Sequence, residues 1–313
     1  MEQATHTIVM IRPVHFRMNE QTAVNNFYQQ VLPKTLPTSL AKKAQVEFDN
    51  LVAVLENAGV SVVVVDAQQE ADTPDAIFPN NWVSFHENGD VGLYPLFAEN
   101  RRQERREDIL VLLEEKGFSI EHVIDYTEAE TEGYFLEGTG SLVLDRVHRL
   151  AYCALSPRSD EELFIEFCED FEFTPVLFNA YQTVAGKREA IYHTNVMLCV
   201  ATDFAVACMD AIDDKKERKQ LRTHLKSSGK EIIEITESQV AQFAGNLLEV
   251  KGVNNASFLV MSTRAYTAFR PDQLQKLEKY ATILHSDLST IETCGGGSAR
   301  CMLAEVFLPK KTV

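Results

Sequence analysis

The sequence contains no C-x-x-C pair. Its six cysteines, Cys153, Cys168, Cys199, Cys208, Cys294 and Cys301, are scattered, which excludes a zinc ribbon and a thioredoxin-type motif, and no metal or other cofactor is expected. No apolar run approaches the roughly 20 residues needed to cross a bilayer. The first residues, Met1-Glu-Gln-Ala-Thr-His6, show no basic stretch followed by an apolar core, so no secretion signal is expected. Basic residues are outnumbered, 30 Lys and Arg against 46 Asp and Glu, for a formal net charge of -16. Nucleic-acid phosphates demand Lys and Arg, so nucleic acid is not an expected partner, and neither is an anionic membrane surface. No linker rich in Gly, Pro or Ser and no low-complexity segment interrupts the 313 residues. The expectation is a single domain over 1–313, cytoplasmic, with reduced thiols. Homo-oligomerisation stays open.

What is present is organised around Gly295-Gly-Gly-Ser-Ala-Arg-Cys301, which runs into the apolar stretch Met302-Leu-Ala-Glu-Val-Phe-Leu308. Three glycines let backbone pass close to a ligand. A cysteine where such a run enters a buried strand is a plausible seat for a nucleophile. Taken alone, a free cysteine is more often a small buried hydrophobe. A phosphate cradle is disfavoured, because no Lys-Ser/Thr follows the glycines and a strand rather than a helix is expected next.

The remaining pattern is repetitive. A strand over Thr5–Arg12 precedes helices over Glu20–Leu32 and Ser39–Asn57 and a strand over Val60–Val65. Four units then follow, each a hairpin, a helix and a strand. The hairpins are Trp82–Phe85 with Val91–Leu96, Ser141–Asp145 with Arg149–Leu155, Asn195–Val200 with Phe204–Cys208, and Leu247–Val250 with Ser257–Met261 and Ala265–Phe269. Their helices span Asn100–Lys116, Ser159–Asp170, Asp213–Leu225 and Pro271–Tyr280. The final strand, Met302–Leu308, is expected to pair with the first and make a fifth unit from the two ends of the chain. Five such units predict a closed ring with helices outside, which leaves no open sheet edge.

One chemistry-bearing residue precedes each inner strand: Asn81, Glu137, His193, Asn246 and Cys301, at spacings of 56, 56, 53 and 55 residues. A fixed period of this kind is the mark of a repeat architecture. On a ring these positions meet at the axis, assembling a thiol, an imidazole, a carboxylate and amides. That is a nucleophile with a base and an orienting group. Each residue singly has an ordinary structural explanation, from a satisfied core histidine to an Asx turn at Asn80-Asn81 or at Asp75. Their common spacing favours the functional reading.

Phe135-Leu-Glu-Gly-Thr-Gly140, Tyr192-His-Thr-Asn195 and Gly295-Gly-Gly-Ser-Ala-Arg-Cys301 resemble the motifs of the amidinotransferase or guanidino-modifying superfamily, which includes arginine deiminase and dimethylarginine dimethylaminohydrolase. The Ile77-Phe-Pro-Asn-Asn-Trp-Val-Ser84 block resembles the bacterial citrulline-utilization hydrolases most closely. The resemblance covers essentially the whole chain. It implies an α/β fold, the five-bladed α/β-propeller (pentein), pseudo-fivefold and closed by pairing of the N- and C-terminal strands. It implies Cys301 as nucleophile, His193 as general acid/base and Glu137 as the carboxylate that holds substrate nitrogens and the histidine. Thr139 stands where the motif has its second glycine. Asp75 matches an acidic substrate-binding position, and Arg101 and Arg158 resemble arginines that grip a substrate carboxylate, for which a guanidinium fork is suited.

Where guanidinium-binding relatives carry a Glu-Asp pair, this chain has Asn80-Asn81. A guanidinium gains from carboxylates, whereas a neutral ureido group offers an oxygen to which an amide donates. The expected function is therefore cysteine-dependent hydrolysis of a ureido or guanidino C–N bond, with citrulline first, giving ornithine, ammonia and carbon dioxide without a cofactor. A neutral substrate supplies no cation to ionise Cys301, so the His193–Cys301 pair is expected to matter more here. Deimination, methylarginine hydrolysis and amidino transfer are the alternatives within the superfamily. A propeller that merely binds a ligand or partner is the non-enzymatic one.

Overall fold

A computed structural model describes residues 2–30 and 37–311. The helix Pro37–Asn57 shows how the chain builds each layer. Leu40, Ala44, Phe48, Leu51 and Leu55 recur every three or four residues and are all buried, forming the single apolar stripe of an amphipathic helix. Gly59 ends the segment at φ +81, and a Cβ there would meet the Val253 backbone nitrogen at 2.8 Å. Only glycine satisfies both demands.

The strands form five three-stranded sheets of one design among the described residues. In four of them an antiparallel hairpin is followed by a helix and a third strand parallel to the second. These are Val83–Phe85, Asp90–Leu93 and His122–Asp125; Leu142–Asp145, Leu150–Ala154 and Thr174–Phe178; Leu198–Val200, Phe204–Ala207 and Glu231–Glu234; and Leu248–Lys251, Ser257–Ser262 and Thr282–Ser286. The fifth unites the chain ends. Ala304–Val306 runs antiparallel to Thr7–Arg12, with Thr7 opposite Val306, and Ser61–Asp66 lies parallel on the other side. Among the described residues no ladder joins one three-stranded sheet to the next. Any closure of the ring therefore comes from packing and side chains, not from strand pairing.

Four local expectations change. The helix expected over Glu20–Leu32 is a series of turns over 20–25, with Leu32 outside the described residues. The Asn19 amide, rather than capping a helix alone, donates to Asp75 and Asn100 at 2.8 and 3.1 Å. The helix expected over Asn100–Lys116 is two pieces, a 3-10 turn Glu99–Glu104 and the helix Glu107–Glu115. The break falls where Arg105 becomes extended and its guanidinium grips Glu130. Ala265–Phe269 is not a strand but belongs to the helix Thr263–Ala268, whose start is capped by Ser262 Oγ accepting from Ala265 N at 3.0 Å. A hairpin Tyr181–Val184 with Lys187–Ala190 was not legible as strands, although Ala185 and Gly186 both adopt positive φ at its turn.

The glycine run also differs from expectation. Ser289–Gly295 is a helix, and Gly296 closes it in the left-handed conformation at φ +66, the ordinary role of glycine after a helix end. Cys301 then sits in a 3-10 turn, Ala299–Met302, and the strand that follows is short, Ala304–Val306.

Candidate active site

Each sheet is entered through a tight turn or short helix, and these turns bond to one another. Pro79–Asn81, Gly138–Ser141, Thr194–Val196 and Ala299–Met302 are the helical ones. Thr139 Oγ1 donates to Asn80 O at 3.3 Å, Asn195 Nδ2 to Thr139 O at 3.1 Å, and Asn246 Nδ2 to Asn195 O at 3.1 Å. Asn246 Nδ2 also donates to Cys301 Sγ at 3.2 Å. The sequence period of about 55 residues is thus realised as a chain of contacts through five turns. Glycine is obligatory at two of the crossings: a Cβ on Gly138 would lie 2.4 Å from Asn80 O, and one on Gly245 2.3 Å from Val196 O.

Cys301, His193, Asp75, Asn81, Arg101 and Arg158 line one cavity. Glu137 lies beneath it, fully buried, and holds the polar groups in place. Its Oε1 accepts from Phe97 N at 3.0 Å. Its Oε2 faces His193 Nε2 at 2.7 Å, Arg158 Nη1 at 3.4 Å and Arg101 Nη1 at 3.6 Å. Although burial opposes its ionisation, the two arginines and the His193 bond outweigh that and hold the carboxyl far below the usual range. With an ionised Glu137, His193 Nε2 carries the proton of that bond, leaving Nδ1 as the free base.

Asn80 is buried but does not line the cavity; its Oδ1 accepts from Asn81 Nδ2 at 3.1 Å, and its Nδ2 has no partner among the described residues. Asn81 Oδ1 accepts from Arg101 Nη1 at 2.9 Å. Arg101 also binds Glu104, at 2.9 Å from Nη2. Its burial, at 2 % exposed, rules out a solvated helix start. Arg158 bonds Asn25 and the Thr22 carbonyl. Asp75 Oδ2 accepts from Asn19 and Thr22, while its Oδ1 is buried without a partner among the described residues. Burial raises the Asp75 carboxyl, against the lowering effect of Arg101.

Both His193 and Cys301 line the cavity, with no direct hydrogen bond between them among the described residues. The thiol faces Asn246 and, at 3.9 Å, Asn195 Oδ1. Burial raises the Cys301 thiol and pushes His193 down to about 4, so both rest neutral near pH 7. Asn246 was marked by its spacing alone, and the thiol contact gives it a place in the site. Asn195, Glu104 and the segment Asn19–Gln29 carried no such mark. Asn25, Asn26 and Gln29 of that segment reach Arg158 and the carbonyls of Gly295 and Gly296. The space left around Cys301 is about 10 Å³, roughly one water molecule.

A family model described as N,N dimethylarginine dimethylhydrolase, eukaryotic, matches residues 12–308. The chain belongs to this family. The dimethylarginine dimethylhydrolase family lies within the superfamily of guanidino-modifying enzymes, hydrolases of C–N bonds. No curated protein matches the chain. Among solved structures, apo ArgZ, an arginine dihydrolase from the ornithine-ammonia cycle in cyanobacteria, superposes with a TM-score of 0.74 at 18% identity over 98% of this chain. The chain spans only 42% of that protein's length. It covers 99% of the N-terminal domain of ArgZ, solved covalently bound to a reaction intermediate, with a TM-score of 0.70 at 18% identity over 97% of this chain. A dimethylarginine dimethylaminohydrolase adduct with S-methyl-L-thiocitrulline gives 0.64 at 15% identity, covering 96% of this chain and 98% of the other. At these identities the likeness is one of fold, a mixed α/β architecture shared with these structures.

Proposed function

We propose that the chain is a cysteine hydrolase that cleaves a C–N bond at the guanidino carbon of an arginine-type substrate. In this reading residues 1–313 form a single catalytic five-bladed α/β-propeller, with the active site at its axis. The Cys301 proton passes to His193 as the sulfur attacks the guanidino carbon, and ammonia or an alkylamine leaves with that proton. Water then gives a proton to His193 as it displaces the thiolate from the thiouronium-type intermediate, leaving a ureido product, and that proton returns to the sulfur. Glu137 fixes the His193 tautomer, Asp75 accepts from substrate nitrogens, and Arg101 and Arg158 form the cationic side of the pocket. A guanidino substrate exceeds the present cavity, so binding displaces the segment Asn19–Gln29.

The observation that carries the guanidino assignment is the pairing of unmet demands. Asp75 Oδ1 is a buried carboxylate oxygen without a partner among the described residues. Burial raises the Cys301 thiol, and His193 is too weak a base at about 4 to be the cation that ionises it. A bound guanidinium answers both, since it donates to Asp75 and brings positive charge to the sulfur. On this reading the substrate, rather than the expected His193–Cys301 pair, supplies the cation.

Citrulline is the second reading, favoured by Asn80-Asn81. The geometry weakens that pair: one of the two Asn81 Nδ2 donors is taken by Asn80 Oδ1, and the unpartnered Asn80 Nδ2 belongs to a residue that does not line the cavity. Release of ammonia and amine from arginine, methylated arginines, agmatine and citrulline, by wild type and Cys301→Ser, tests both. Turnover of a guanidino compound that Cys301→Ser abolishes supports the first reading. Turnover of citrulline alone replaces it with the second, and release unaffected by Cys301→Ser removes both.

A further inference from the structure

A second pocket, of about 360 Å³, opens between the hairpin turn after Val83–Phe85 and the turn after Leu142–Asp145. It shares no lining residue with the Cys301 cavity. Its volume suits a small organic molecule. On one side is Arg146, 5 % exposed, with its guanidinium over the Phe307 ring at 3.9 Å. No carboxylate or carbonyl among the described residues accepts from that guanidinium. Glu305, whose charge favours it, is held by Arg300 at 2.8 Å. The donors of Arg146 are thus left to a ligand or water in the pocket, while Glu305 gives only charge at a distance. Burial accordingly weakens its hold on its proton.

The opposite wall is aromatic. His86 stacks on Phe171 with centroids 4.1 Å apart, and both are buried. Burial, with the charges of Arg146 and Arg149, holds His86 far below its usual range. The pocket is therefore cationic inside. Its mouth is acidic, because Glu87 and Glu172 line it and are exposed. An inorganic polyanion gains from Arg146 but meets two like charges at the mouth. A zwitterion matches both ends.

We propose that this pocket is a second ligand site, for a free α-amino acid with an apolar or aromatic side chain. Arg146 takes the α-carboxylate in a two-pronged bond. Phe171 and Phe307 flank the side chain, and Glu87 and Glu172 meet the ammonium.

Calorimetric titration of L-phenylalanine tests this. Wild type and Cys301→Ser should show the same saturable binding, and Arg146→Met should weaken it by about 10-fold or more, the scale of a lost charge-assisted bond. Arg146→Lys should recover part of it. Phenethylamine, which lacks the carboxylate, should not bind, and 3-phenylpropionate, which lacks the ammonium, should bind more weakly. Wild-type crystals soaked in L-4-bromophenylalanine should place the bromine between Phe171 and Phe307, a result independent of any variant. No saturable binding by wild type, binding unchanged in folded Arg146→Met, or bromine only beside Cys301 would each overturn the proposal. Inorganic phosphate competing as well as the amino acid would replace the zwitterion with a plain anion site.

Discussion

Replacing Glu137 by Gln isolates the charge on which the site is built, since the amide keeps the shape and can still accept from Phe97 N. Two arginine nitrogens lie 3.4 and 3.6 Å from Glu137 Oε2. At an effective dielectric of about 20, each contact is worth about 5 kcal/mol before any compensation. Compensation is partial: Arg101 keeps Glu104 at 2.9 Å, and Arg158 keeps Asn25. Removing one partner of a buried ion pair typically costs about 3–5 kcal/mol. At about 2–4 °C per kcal/mol for a large domain, the melting midpoint should fall by roughly 6–20 °C at pH 7. The pH dependence follows from the carboxyl being held below its usual range. Its contribution is full above the unfolded value of about 4.5 and fades as pH falls toward the folded value. The gap between wild type and Glu137→Gln in denaturant titrations should therefore be constant from neutral pH to about 5 and narrow below it. Melting within about 2 °C of wild type at pH 7 would refute the claim that Glu137 neutralises the two arginines.

Cys301 alkylation by neutral 2-chloroacetamide should keep accelerating past pH 9, whereas cationic 2-chloroacetamidine should act with an apparent pKa lower by about 2–3 units, the effect of a cation roughly 4 Å from sulfur; equal profiles would deny substrate-assisted ionisation. Asn246→Ala removes the 3.2 Å donor to the sulfur and should slow alkylation at pH 7 by about 10-fold through a thiolate bond worth about 1.5–3 kcal/mol, while melting falls by about 2–12 °C because the Asn195 carbonyl also loses its donor. Gly140→Ala puts a Cβ 2.6 Å from Asn81 Nδ2 and 2.8 Å from His193 Nδ1, so it should abolish turnover while circular dichroism still reports a folded chain. Asp75→Asn should lower kcat/KM for a guanidino substrate by about 10- to 100-fold, chiefly through KM, as a lost charge-assisted bond does; an unchanged KM would remove Asp75 from substrate binding.

The repeat is what the sequence by itself determined. Hairpin, helix and strand signals depend on local periodicity and turn residues, so four units were legible, and their even spacing marked Asn81, Glu137, His193, Asn246 and Cys301 before any contact was known. The pairing of Thr7–Arg12 with Ala304–Val306 was legible for the same reason, as the unit that the two ends lacked. Tertiary contacts decided the rest. Asn19, Asn25 and Asn26 read locally as helix or turn residues, but their amides are drawn to Asp75, Arg158 and the glycine carbonyls, and the described part of the expected helix, 20–30, is turns instead. Arg101 read more readily as a solvated residue of a charged helix start, but Glu104, Asn81 and Glu137 surround it. The ionisation of Cys301 and His193 was beyond the sequence altogether, because it is set by how much water burial removes and by which charges remain nearby. Residue type and spacing name the groups that can react. Only the packed structure fixes their protonation and their neighbours.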